Sequence, residues 1–199
     1  MTPRVLAGTL AAAAAAAAAL VAASLLTARD APGPAAPAVP TAPSAIAGIP
    51  QDGLVLGDAA APLTLVEYAD VQCPYCALWA HDQMPGIVDA YVRTGNVRLV
   101  FHGLAFIGPE SDLALRAVLA AGLQDRLWNL LEVLYANQGH ENTGWVTEGS
   151  LRSFGARVDG LDVERMLADL RAPEVERELL NAARAAEAAG VQGTPSFQL

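Results

Sequence analysis

The chain has 199 residues, two cysteines and a formal net charge of −9 from 21 acidic and 12 basic side chains. This length allows one domain of ordinary size. Two cysteines are too few for a scaffold built from disulfides, so a hydrophobic core must hold the fold. An acidic chain without a basic cluster lacks the charge pattern of a nucleic-acid-binding protein, and we expect no nucleic-acid partner.

The N-terminal stretch predicts export from the cytoplasm. Residues 5–28 carry no charge and follow a short basic start at Arg4, and they are long enough to span a bilayer. We interpret residues 1–28 as a signal peptide or a signal-anchor. Small residues near the end suit cleavage, whereas the length and the charged pair Arg29–Asp30 favour an uncleaved membrane anchor.

A linker is predicted after this segment. Residues 29–50 are rich in proline and alanine, and proline continues neither a helix nor a central strand. We therefore predict a semi-extended linker that holds a folded domain, residues 51–199, away from the membrane. In either interpretation of the leader, that domain lies outside the cytoplasm, where disulfides persist.

Strand and helix patterns alternate at the start of the domain. Val55 is predicted to lie in a short edge strand, and residues 63–69 form a short, mostly apolar strand pattern. Residues 97–102 alternate between apolar and polar and predict a second long strand. Between the two long strands we predict a helix from Pro74 to about Arg93, with a break near Pro85.

The region of residues 103–190 predicts almost only helix. About 90 residues of helix between two strands exceed a simple crossover, so we predict a helical subdomain inserted into an α/β core. The segment Gly193-Thr194-Pro195 then predicts a turn into a final strand. The predicted helix starts and caps in the insertion are Pro109, Asp125, Thr147, Asp162 and Pro173.

The two cysteines stand at Cys73-Pro-Tyr-Cys76, between a predicted strand and a predicted helix. The first turn of a helix presents unpaired N–H groups and the positive end of the helix dipole, which stabilise a thiolate at Cys73. Cys76 lies one turn later on the same side, close enough to close a disulfide. We predict an exposed nucleophilic Cys73 and a buried partner Cys76 that form a redox pair.

Two other interpretations of this motif are a zinc site and a structural disulfide. A zinc site needs about four ligands, and the chain has no second cysteine pair or paired histidines to complete one. A purely structural disulfide across two residues closes almost no loop and so stabilises little. We therefore favour redox chemistry and expect neither a metal nor a cofactor.

Taken together, these features resemble the thioredoxin superfamily and, within it, the DsbA-like thiol oxidoreductases of bacterial envelopes. The matching features are the strand at residues 63–70, the Cys73–Cys76 motif, the helical insertion and Gly193-Thr194-Pro195. The resemblance covers about residues 50–199. It implies an α/β thioredoxin-like fold with an inserted helical subdomain, in which Cys73 is the nucleophile and Cys76 its partner.

The resemblance also assigns roles to residues around the cysteines. Glu67 falls where the superfamily places a buried acid, and a carboxyl there exchanges a proton with Cys76. The alternative for Glu67 is a charge at the edge of a strand that faces solvent. Pro195 would be a cis proline facing the disulfide, and Thr194 would offer its backbone to an extended substrate. The residues assigned to substrate binding are Pro74, Tyr75, Thr194 and Pro195.

The histidines and tryptophans are predicted to have packing roles. A histidine can transfer protons near neutral pH, but these positions fit solvated or packed side chains better. The tryptophans fit contacts in the core or in the helical subdomain. The residues are His81, His102 and His140, and Trp79, Trp128 and Trp145.

The resemblance implies an enzyme that donates disulfides to thiol-containing exported proteins and is reoxidised by a membrane quinone-linked partner. A disulfide reductase or isomerase using the same cysteines is the nearest alternative, because sequence does not determine the redox direction. The family continues past the cis-proline strand with another strand and a helix, whereas Leu199 lies four residues after Pro195. We therefore expect a truncated chain with an exposed strand edge, and an inactive membrane-tethered binding or folding module is a further alternative.

Overall fold

The structure, a computed structural model, describes residues 44–199. Within them, five strands form one sheet in the order β1–β2–β4–β3–β5. The two long strands, β3 and β4, run parallel at its centre, and the other neighbouring pairs are antiparallel. The strands are β1 (Gln51–Asp52), β2 (Val55–Leu56), β3 (Leu63–Ala69), β4 (Val97–Gly103) and β5 (Ser196–Gln198).

The helices surround this sheet and confirm the predicted α/β pattern. A short π-helical turn, Val88–Val92, follows α2, and a 3₁₀ turn, Asp169–Arg171, follows α6. Five of the helices lie between β4 and β5 in the chain, which confirms the predicted helical insertion. The helices are α1 (Pro74–Asp82), α2 (Met84–Ile87), α3 (Pro109–Gly122), α4 (Leu127–Ala136), α5 (Glu148–Gly155), α6 (Val163–Ala168) and α7 (Pro173–Ala188).

Two of the three predicted side-chain caps are present, and one is wrong. Thr147 caps α5 in a capping box, and Asp162 caps α6. Asp125 does not cap α4, because the residue before that helix is Arg126. Asp125 instead adopts a φ of 55° and accepts the N–H of Gly53 at 3.0 Å. It thereby ties the turn before α4 to the β1–β2 hairpin.

The sequence predicts Val55 in an edge strand, but Val55 lies one strand inside the edge. The strand that contains Val55 pairs with β4 on one side and with β1 on the other, so β1 is the outer strand. At the opposite side, β5 pairs with β3, and no other strand among residues 44–199 covers its far edge. Among the described residues β5 is therefore an edge strand, in agreement with the predicted exposed strand edge.

The sheet buries side chains on both of its faces. Side chains of a strand point alternately to opposite faces. Tyr68 of β3 therefore packs with Ala182 and Ala186 of α7, on the face opposite to the main core. Its neighbours Glu67 and Ala69 point to the other face and are buried. This alternation places the carboxyl group of Glu67 inside the protein, below the start of α1.

Residues 44–49, which the proline content assigned to the linker, pack against the domain. Ile46 and Ile49 are 1% and 8% exposed and belong to the main core. The guanidinium of Arg93 donates hydrogen bonds to two backbone carbonyls of this segment, at 2.8 and 3.0 Å. The packed part of the chain thus begins before residue 50, and the two isoleucines were the signal in the sequence.

The predicted membrane segment, residues 1–28, and the linker up to residue 43 lie outside the described residues. In the part of the chain that the structure does describe, no helix combines the length and the apolar character needed to cross a bilayer.

Replacing Ile46 with alanine tests the packing of the N-terminal segment. Ile46→Ala should lower the free energy of unfolding by about 2 to 4 kcal/mol, because it removes buried methyl groups and leaves a cavity. Leu180→Ala on α7 is the matched control. Leu180 is 57% exposed, so its truncation should change the stability by less than about 0.5 kcal/mol. Urea unfolding of the full-length chain, followed by circular dichroism, measures both, and equally small effects would contradict the packing of Ile46.

Candidate active site

The cysteine motif begins helix α1. Cys73 is the N-cap residue, and Cys76 lies inside the first turn. Pro74 occupies the first turn, where its missing N–H costs no hydrogen bond. The N–H groups of Cys76 and Ala77 donate to the Cys73 carbonyl at 3.1 and 3.2 Å and so form the first bonds of the helix. Both cysteines are free thiols, so the structure represents the dithiol state.

Cys73 is much more buried than the sequence predicts. Cys73 is 5% exposed and Cys76 is fully buried. The reason is the loop before β5, because the Cys73 thiol donates a hydrogen bond to the Thr194 carbonyl oxygen at 3.3 Å. The Thr194–Pro195 peptide bond is cis, as the resemblance implied. Of the two cysteines, Cys73 is the one that keeps some exposure.

Glu67 is buried below this pair rather than exposed at a strand edge. It is 3% exposed, and its Oε1 has no hydrogen-bond partner among the described residues. Burial raises the pKa of Glu67 from 4.5 to about 8. The indole N–H of nearby Trp79 opposes this rise, but it lies outside good hydrogen-bond geometry and is itself unpartnered among residues 44–199. Glu67 therefore holds a proton at neutral pH.

The surroundings of Cys76 disfavour negative charge in the same way. Burial raises the pKa of the Cys76 thiol far above its usual range, and the neighbouring Cys73 adds to this rise. Tyr135 of α4 is buried in the same region, and burial together with the charge of Glu67 raises its pKa. Glu67, Cys76 and Tyr135 are thus all uncharged at neutral pH. Both Glu67 and Cys76 act on the pKa of Tyr135, so the three groups share one buried region.

A buried carboxylate that sequence reasoning missed supports the cysteine loop. Asp70 is fully buried and accepts four hydrogen bonds. The N–H of Gln72 and the hydroxyl of Ser111 donate to Oδ1 at 2.8 and 2.7 Å. The N–H groups of Phe106 and Ile107 donate to Oδ2 at 2.8 and 3.0 Å. The sequence signal was an acid directly after an apolar strand, but three of its four partners lie 36 to 41 residues away.

Gln72, the residue before Cys73, extends this polar network. It is fully buried, and its amide nitrogen donates to the Ser111 hydroxyl at 3.0 Å. Its amide oxygen accepts the N–H of Asn142 at 2.8 Å. The loop that carries Cys73 is therefore bound to the start of α3 and to the loop before α5. Because both the nitrogen and the oxygen of this buried side-chain amide are hydrogen-bonded, Gln72 fixes the backbone next to Cys73.

The other predicted site residues lie around the opening above Cys73. Pro74 and Tyr75 are exposed on α1, Tyr75 to 70%, and Thr194 and Pro195 are partly exposed on the facing loop. Only Thr194 of these four has a hydrogen bond to a cysteine thiol among the described residues. The structure thus brings all four residues near Cys73, two from α1 and two from the loop before β5.

The histidines are solvated or packed and the tryptophans pack against other rings, as predicted, with one addition. His81 and His140 are exposed, and His102 stacks on Tyr68 with ring centroids 5.4 Å apart. Trp79 packs on Phe197 at 4.4 Å and also borders Glu67, which its sequence position did not indicate. Trp128 and Trp145 pack edge-on against phenylalanine rings. In residues 44–199, no three histidine, cysteine or acidic side chains cluster as metal ligands would.

The neutral variant Glu67→Gln tests the buried acid. Between pH 4.5 and 8 the folded chain keeps the Glu67 proton while the unfolded chain loses it, so the wild type loses stability as the pH rises. The glutamine side chain cannot ionise. The stability of Glu67→Gln relative to wild type should therefore rise by about 3 kcal/mol from pH 5 to pH 8.

Urea unfolding of both chains at the two pH values measures this difference. Glu141→Gln, at an exposed loop position, is the matched control, because water solvates that carboxylate in both the folded and the unfolded state. An equal pH trend in the Glu67 and Glu141 variants would show that Glu67 ionises freely in the folded protein.

The comparisons with known proteins agree with this geometry. A thioredoxin family model matches residues 50–199. The chain is 33% identical over 144 residues to a probable disulfide bond formation protein D of Bacillus cereus, and the match covers 71% of this chain and 67% of that protein. The chain thus spans about two thirds of the length of this curated relative.

Solved structures give the same assignment. Oxidised BdbD from Bacillus subtilis has a TM-score of 0.67 at 26% identity, over 75% of this chain and 84% of that one. A thioredoxin-like oxidoreductase from Silicibacter pomeroyi has a TM-score of 0.61 at 35% identity, over 72% of this chain and 78% of that one. With its cysteine pair at a helix start and its cis Thr194–Pro195 bond, the chain belongs to the thioredoxin superfamily, as a member of its DsbA-like thiol–disulfide oxidoreductases.

Proposed function

We propose that this chain is an extracytoplasmic oxidoreductase that donates the disulfide of Cys73 and Cys76 to thiol-containing exported proteins. The observation that carries this proposal is the 3.3 Å contact between the Cys73 sulfur and the Thr194 carbonyl at the start of α1. It brings the more accessible sulfur next to a backbone segment that an extended substrate can pair with. The similarity to disulfide bond formation proteins supports the same activity.

The first step breaks the enzyme disulfide. A substrate thiolate attacks the Cys73 sulfur, a new sulfur–sulfur bond forms between substrate and Cys73, and Cys76 leaves with the electron pair of the old bond. Attack at Cys73 is supported by burial, because Cys76 is fully covered while Cys73 keeps some exposure.

Glu67 supplies the proton for this step. A thiolate on buried Cys76 is disfavoured by the loss of solvation, so it takes up a proton as it forms. The pKa of Glu67, raised to about 8 by burial, keeps that carboxyl protonated at neutral pH and close enough to thiol basicity to exchange a proton. Glu67 is thus the general acid in this direction and the general base when the disulfide is formed again.

The second step releases the oxidised substrate. A second substrate thiolate attacks the substrate sulfur of the mixed disulfide, the substrate disulfide forms, and Cys73 leaves as a thiolate. The N-terminus of α1 supports this departure, since its unpaired N–H groups and dipole favour negative charge. The substrate loses two electrons in total, and the enzyme disulfide becomes a dithiol.

The surroundings of Cys73 define the substrate. Tyr75 and Leu78 on α1 are 70% and 54% exposed, and Thr194 and Pro195 face them across the accessible sulfur. An apolar, extended and therefore incompletely folded chain suits this surface better than a charged or compact one. The proposed substrate-binding residues are Pro74, Tyr75, Thr194 and Pro195.

The cellular setting is proposed from the N-terminal sequence and the relatives. Residues 1–28 would anchor the chain in the membrane or direct its export, and the linker would separate them from the folded domain in the cell envelope. The dithiol left after each turnover needs an electron acceptor, and a membrane quinone-linked partner is proposed for that step. This arrangement keeps the enzyme where exported thiols first appear.

Single serine variants of the two cysteines test the proposed roles. The oxidised full-length chain should transfer one disulfide to reduced ribonuclease. In a separate assay with an activated disulfide, Cys73→Ser should react at least about a hundred-fold more slowly than the reduced wild type, because its remaining sulfur is buried. Treated with the same activated disulfide, Cys76→Ser should accumulate a stable mixed disulfide through Cys73 and release the other half of the reagent as a thiol, since the resolving thiol is absent. Mass spectrometry after acid quenching identifies each species. Undiminished turnover by Cys73→Ser would contradict the assignment.

A further inference from the structure

The loop between β3 and α1 is bound on two sides by side chains from the helical insertion. On one side lies the network of Asp70 and Gln72 described above. On the other side, Gln138 follows the end of α4 and donates its side-chain amide to two backbone carbonyls of the loop. The distances are 2.7 Å to the oxygen of Val71 and 3.1 Å to the oxygen of Cys73.

The carbonyl of Cys73 is a critical acceptor in this site. It already receives the N–H groups of Cys76 and Ala77, which form the first turn of α1. It also belongs to the peptide bond before Pro74, a residue with no N–H of its own. By binding this same carbonyl, Gln138 fixes the Cys73 backbone at its observed ψ of 118°. That backbone in turn determines where the Cys73 sulfur lies relative to Cys76 and to Thr194.

The stability of a disulfide depends on such positioning. A sulfur–sulfur bond tolerates only a narrow range of distances and dihedral angles between its two residues. A structure that holds two thiols in that range raises the effective concentration of one at the other and favours bond formation. In the dithiol structure the cysteines are already close enough for Cys73 to raise the pKa of Cys76.

We propose that Gln138 is a positioning residue that holds Cys73 in the arrangement required by the Cys73–Cys76 disulfide. Its loss would lower the stability of the disulfide relative to the dithiol. This inference rests on the proposed redox function and extends it to the helical insertion, since Gln138 lies 65 residues from Cys73 in the chain. It makes the insertion a determinant of the redox equilibrium as well as a cover for the core.

A second glutamine provides a matched control. The side chain of Gln124, at the turn after α3, donates to the carbonyl of Asp162 at 3.1 Å and accepts its N–H at 2.9 Å. Like Gln138, it forms two hydrogen bonds between its side-chain amide and the backbone, but these support the start of α6 instead of the cysteine loop. Methionine has a similar length without amide groups, so Gln138→Met and Gln124→Met remove comparable bonds.

The test is the equilibrium of the full-length chain with glutathione. The thiols of Cys73 and Cys76 are oxidised to one disulfide, one oxidised glutathione is reduced to two glutathione molecules, and these take up the two thiol protons. Alkylation of free thiols followed by mass spectrometry gives the equilibrium constant. Gln138→Met should lower it about three- to ten-fold, because a Cys73 backbone released from these bonds lowers the effective concentration of one thiol at the other. Gln124→Met should leave it within about two-fold of wild type.

The unfolding stability of each redox state separates positioning from a purely structural role. A structural role would destabilise the oxidised and reduced chains equally and leave the glutathione equilibrium unchanged, which would overturn the inference. A positioning role destabilises the oxidised chain more. Should Gln138→Met fail to fold, Gln138→Glu keeps the length and replaces the donor with an acceptor, and the same loss of disulfide stability is expected. A wild-type chain that forms no disulfide would overturn the proposed function itself.

Discussion

The site depends on the burial of two uncharged acids, Glu67 in β3 and Cys76 in the first turn of α1. An anion on either group would lie in surroundings of low polarity, where an uncompensated charge is costly. Cleavage of the disulfide puts negative charge on Cys76, so it can proceed only if a proton is available there. In the proposed mechanism Glu67, whose raised pKa retains a proton at neutral pH, passes that proton to Cys76, and the carboxylate left on Glu67 then regains a proton from solvent. We propose that this proton supply favours the reduced state and, with it, transfer of the disulfide to a substrate.

The fold provides this arrangement through the register and alternation of β3. Glu67 pairs with Phe101 across the parallel ladder of β3 and β4 and points to the face below α1. A shift of one residue would exchange its place with that of Tyr68, which packs against α7. The strand then ends at Asp70, whose four hydrogen bonds bind the following loop to the helical insertion. Strand register and loop anchoring therefore act together on the position of Cys73.

Local sequence predicts the main strands, helix starts and caps, whereas the hydrogen bonds around Cys73 depend on contacts between distant residues. Several predicted features follow from local signals, and the structure confirms them. They are the alternation in β4, the proline at the start of α1 and the caps of α5 and α6. The fourfold bonding of Asp70 and the two bonds of Gln138 join residues far apart in the chain, which no periodicity reveals. Burial of Cys73 under Thr194 has the same cause, because the covering loop lies 121 residues away. The proline-rich sequence around Ile46 is typical of a linker, so it does not indicate that Ile46 is buried in the core.

The most direct test of the proposed activity is the reduction potential of the wild-type pair. The full-length chain is equilibrated with reduced and oxidised glutathione, and the fraction of disulfide is measured by alkylation and mass shift. We expect a potential well above the value of about −270 mV found for thioredoxin, because the reduced pair is stabilised by the Glu67 proton and the start of α1. A potential at or below that value would contradict disulfide donation and indicate a reductase that uses the same two cysteines.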